Sequence, residues 1–111
     1  MKMDSKFEDE IMDEMLEGKG KKCMTMEDVS EQLSKDFADE IADSRKYLHM
    51  AKVAEKADDY EDCHYLTEMA KDEYTHAYFI HSFMEEHDIC IPEEQEKDFE
   101  CLKETMKGFF R

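Results

Sequence analysis

Positions recurring at alternating steps of four and three run through Leu33, Phe37, Glu40, Ser44, Tyr47, Ala51 and Ala54, and a second series runs through Leu66, Met69, Glu73, His76, Ile80, Phe83 and His87. This spacing draws one stripe along each of two long helices, the inward line of a helix bundle. Both stripes are mostly apolar, with Ser44 and the terminal His87 as minor exceptions, yet two glutamates and a histidine stand near their middles. An unpaired carboxylate on such a line is strongly unfavourable, because burial strips its hydration. A bound metal cation removes that conflict, so the pattern points to a helical metal protein.

The same reading divides the chain. Ser5 with Glu8 forms a capping box at the head of a helix reaching about Glu17, with Phe7, Ile11 and Met15 on one face. Gly18-Lys19-Gly20-Lys21-Lys22 then acts as a flexible basic linker. Thr25, with Asp28 three residues on, opens a second helix that meets no breaker before Ala57-Asp58-Asp59. That helix has about 30 residues and a length of about 45 Å. A third runs from near Asp59 to His87 or Asp88, and Ile89-Cys90-Ile91-Pro92 connects it to a last helix ending near Gly108. Pro92 suits the first position of that helix, which carries Phe99, Leu102, Met106 and then Phe109-Phe110. The units are therefore an N-terminal arm at 1–24, a helical pair at 25–88 and a C-terminal helix at 89–111.

Composition sharpens this in three ways. Three glycines and one proline in 111 residues, with charged and hydrophobic fractions of 41% each, fit long amphipathic helices around a thin core. Two such helices bury one stripe apiece, so self-association is expected. A net charge of -16 excludes nucleic acid and anionic membrane surfaces as partners and suits cations. No stretch has the length and apolarity to cross a bilayer, and Met1-Lys2-Met3-Asp4-Ser5 lacks the apolar core of a secretory signal, so a cytoplasmic location is expected. Cysteines at 23, 63, 90 and 101 form no CxxC pair, which argues against a zinc knuckle and for free thiols.

Glu40 lies 17 residues before Ala57, and Glu73 lies 16 after it. In an antiparallel pair, equal distance from the turn means equal height, about 25 Å along each helix. Glu40 and Glu73 then face each other, with His76 one turn along from Glu73 on the same side. Three ligands do not fill an iron coordination sphere. Two copies about a twofold axis supply four carboxylates and two imidazoles, a set suited to iron, with manganese or zinc as other occupants.

Glu40, Tyr47 at plus seven, and Glu73-Tyr74-Thr75-His76 resemble the ferritin-like superfamily over Phe37 to Phe83, above all the encapsulated ferritins, and more distantly the rubrerythrins. The resemblance implies an all-α, ferritin-like antiparallel two-helix hairpin that dimerises into a four-helix bundle. It implies two irons per dimer held by Glu40, Glu73 and His76, with Tyr47 beside them, hydrogen-bonding a ligand carboxylate. The implied activity is ferroxidase: Fe(II) is oxidised to Fe(III) by O2 or peroxide for storage or detoxification. Lys46 stands where the family often has an aromatic residue. An encapsulin shell is a partner type of those relatives, but no targeting peptide is recognised in Lys107-Gly108-Phe109-Phe110-Arg111.

Two other readings compete, a rubrerythrin-like peroxide reductase and a metal-free helical interaction module. Asp36, Asp39 and Asp43 beside Glu40, and Glu68 and Asp72 beside Glu73, form acidic ridges. Among these, Asp39, Asp43 and Asp72 are further metal candidates. His49, His64, His81 and His87 have no comparable partner spacing, and His87 suits a capping or surface role.

Overall fold

The computed structural model describes residues 25–110, which are helical with no strand among them. Three helices follow in order: α1 at Met26–Lys56, α2 at Tyr60–Glu86 and α3 at Glu93–Met106. The helix expected at Ser5–Glu17, the Gly18–Lys22 linker and Cys23 lie outside the described residues.

Each boundary has a local cause. Thr25 caps α1: its hydroxyl accepts from Asp28 N–H at 3.1 Å, and its own N–H donates to Asp28 Oδ2 at 3.0 Å. Two donors that the helix leaves free are thereby satisfied. Asp58, at φ 59°, occupies the left-handed region that aspartate tolerates better than most residues, and this reverses the chain. Asp59 caps α2 through Asp62 N–H at 3.1 Å. His87 is the residue that closes α2, and Asp88 at φ 53° makes the second reversal. Pro92 has an extended ψ of 139°, so it sits just before α3 rather than as its first helical residue.

Helices α1 and α2 pack together with small side chains between them. Ser44, Ala51, Ala70 and Ala77 are buried, and Ser44 Oγ donates to Ala70 O at 2.8 Å. With so little side-chain bulk between them, the two backbones come close. Phe99, Leu102 and Met106 of α3 join Phe37, Ile41, Leu48 and Met84 in one core, each such burial contributing about 1.5–3 kcal/mol. Arg45 ties α1 to α3 through Asp98 Oδ1 at 3.7 Å.

The second stripe is rotated from its expected phase. The buried line of α2 is Ala70, Ala77 and Met84, one residue beyond Met69, His76 and Phe83, which remain exposed. The alanines win that position because only short side chains fit where the helices approach most closely. The flank bearing His76 is left uncovered by α3, with Met69 and Phe83 of the same stripe exposed as well. No described helix is long and apolar enough to cross a membrane.

Candidate metal centre

Glu40 of α1 and Glu73 and His76 of α2 converge on that flank. One ligand atom from each lies within 4.8 Å of the other two, and no other group of three acidic, histidine or cysteine residues does so among the described residues. Equal separation from the 57–59 turn brings the glutamates to one level, and the i, i+3 step places His76 beside Glu73. The cluster grades from inside to outside: the Glu40 side chain is 24% exposed and that of His76 is 57% exposed.

The electrostatics are unresolved by the protein's own groups. Glu40 Oε2 is shut off from solvent and takes no hydrogen bond, and His76 Nδ1 stands 3.5 Å from it. Burial first, and then the neighbouring Glu73 carboxyl, push the Glu40 carboxyl up to about 7 against the opposing pull of His76. A buried acceptor without a donor is costly, and two carboxylates this close repel when both are charged. A divalent cation answers both faults: it accepts the orphaned lone pair and neutralises the pair. Two carboxylate oxygens and an imidazole nitrogen, with no thiolate, suit Fe(II), Mn(II) or Zn(II).

The remaining candidates separate from this cluster. Asp39 and Asp72 are exposed, each one residue before a ligand and so turned about 100° away from it. Asp43 is half-buried and pairs with Lys46 at 3.6 Å. Tyr47 lies two turns, about 10 Å, along α1 from Glu40 and packs against the core under the Lys46 ammonium, 5.0 Å from its ring centre. Among the described contacts its hydroxyl makes no hydrogen bond to Glu40 or Glu73, so the expected link to a ligand carboxylate is not formed. Cys63, Cys90 and Cys101 are free thiols, as expected.

One histidine has a role that the spacing analysis missed. His81 meets Glu85 Oε1 at 2.8 Å through Nδ1 and Glu96 Oε2 at 2.9 Å through Nε2. The i, i+4 relation to Glu85 was available in the sequence, but the reach to Glu96 depends on where α3 lies.

With this geometry established, comparison with protein-family models, curated proteins and solved structures returned no match.

Proposed function

We propose that the chain is a ferritin-like iron protein whose site is completed by a second copy of itself. One observation carries the reading. Two carboxylates and an imidazole converge around an unsatisfied buried oxygen on a flank of the helical pair that α3 leaves open. Exposed Met69 and Phe83 lie on the same stripe as His76, seven residues to either side, and offer an apolar surface for the second copy.

Iron enters as substrate. Glu40, Glu73 and His76 of each copy bind Fe(II), and carboxylates favour the more highly charged product ion. Two Fe(II) release one electron each. With O2 and two protons the products are two Fe(III) and hydrogen peroxide; with hydrogen peroxide and two protons they are two Fe(III) and two waters. Before binding, Glu40 must give up the proton that burial and Glu73 help it retain, so loading releases protons and weakens as pH falls below about 7.

The test is metal per chain by mass spectrometry, after anaerobic Fe(II) loading and gel filtration. One iron per chain in a species of dimer size or larger is expected. Folded helical protein retaining no iron would overturn the reading in favour of a metal-free interaction module. Glu73→Ala should lower iron affinity more than about 100-fold while circular dichroism stays helical. Oxygen and peroxide consumption rates then separate ferroxidase from peroxide reductase.

A further inference from the structure

The His81 ring lies between Phe99, stacked at 4.5 Å and 18°, and Phe37 at 5.7 Å, with its side chain only 12% exposed. Each element packed against it contributes differently. Its own helix supplies Glu85 at 2.8 Å, α3 supplies Glu96 with its two oxygens at 2.9 and 3.0 Å, and α1 supplies the Phe37 ring. A neutral imidazole has a single N–H and can donate to one carboxylate only. The other carboxylate then faces a ring lone pair and has only water to turn to, the Glu85 and Glu96 side chains being 64% and 39% exposed. Only the imidazolium donates on both sides.

We propose that His81 is a proton-dependent latch that fastens α3 to the helical pair. With both nitrogens protonated it bridges Glu85 and Glu96. When one proton leaves as pH rises, the positive charge is lost and the single remaining N–H serves only one carboxylate at a time, so the tie to Glu96 weakens and α3 loosens on its Phe99, Leu102 and Met106 contacts. The latch is independent of the metal site: Glu85 and Glu96 do not belong to the cluster at Glu40, and His81 lies five residues beyond His76.

The experiment is hydrogen exchange with mass spectrometry on the full chain from about pH 5.5 to 8.5, corrected for intrinsic exchange, with the His81 ring nitrogens followed by NMR. Peptides from α1 and α2 serve as internal reference. Protection across Glu93–Met106 should fall roughly tenfold relative to that reference, in step with the His81 signal. Glu96→Gln should bring low-pH protection down to the high-pH level and flatten the profile, whereas Glu94→Gln, on the same helix, keeps it. Protection of α3 that does not change with pH would overturn the latch. So would a change shared equally by α1 and α2, or a Glu96→Gln profile with the original slope.

Discussion

His76 and His81 stand five residues apart on one helix, and each meets two glutamates, yet the two groups end in opposite states. Around His81 each nitrogen has a carboxylate at 2.8 or 2.9 Å, and aromatic rings cover the imidazole. Around His76 the nearest carboxylate is 3.5 Å away, its buried oxygen takes no hydrogen bond, and the imidazole is open to solvent. The residue types are the same, so composition alone does not decide the state of such a group. What distinguishes them is whether the protein has already spent the lone pairs on its own donors. The saturated group fastens two elements together, and the unsaturated one holds coordination capacity in reserve.

The covered flank should bear the largest stability effect. Phe99→Ala removes a buried ring that touches Phe37, Tyr74 and His81, and should cost about 3–5 kcal/mol in urea unfolding followed by circular dichroism. A cost below about 1 kcal/mol would show that α3 adds little to the fold.

Next comes Glu40→Gln, which tests the unsaturated group directly. In the unfolded chain this carboxyl loses its proton near 4.5, whereas in the fold it keeps it to about 7. The folded, metal-free protein is therefore penalised increasingly as pH climbs through that window, and fully above it. The gap corresponds to at most about 3 kcal/mol, part of it owed to Glu73. Glu40→Gln should raise metal-free stability at pH 8, leave it nearly unchanged at pH 4, and abolish iron retention. An equal gain at both pH values would remove ionisation as the cause.

The smallest stability effect belongs to the open flank. Met69→Gln replaces a side chain that is 42% exposed and should change unfolding by no more than about 0.5 kcal/mol. The same change should weaken self-association about tenfold by analytical ultracentrifugation. An unaltered dimer would place the second copy elsewhere.

Much of this was legible before any coordinates. Thr25 with Asp28, the Ala57–Asp59 break and Pro92 mark the element ends because capping and breaking depend on neighbours in sequence. The meeting of Glu40 with Glu73 and His76 followed from counting residues to the turn, since helical rise is constant. Two things were out of reach. The buried line of α2 shifted by one residue because Ala70 and Ala77 fit the closest approach better than Met69 and His76, a matter of relative volumes across two helices. The His81–Glu96 contact depends on the direction α3 takes after Asp88, which periodicity does not encode.

Consider finally the small residues between α1 and α2. Ser44 lies one turn from Glu40, and Ala70 and Ala77 bracket Glu73, so methyl and hydroxymethyl groups set the gauge across which Glu40, Glu73 and His76 meet. The aperture those three side chains enclose therefore depends on alanines that belong to no part of the cluster. A chain that exchanged Ala77 for a larger aliphatic residue would keep every one of those polar atoms and yet hold them farther apart.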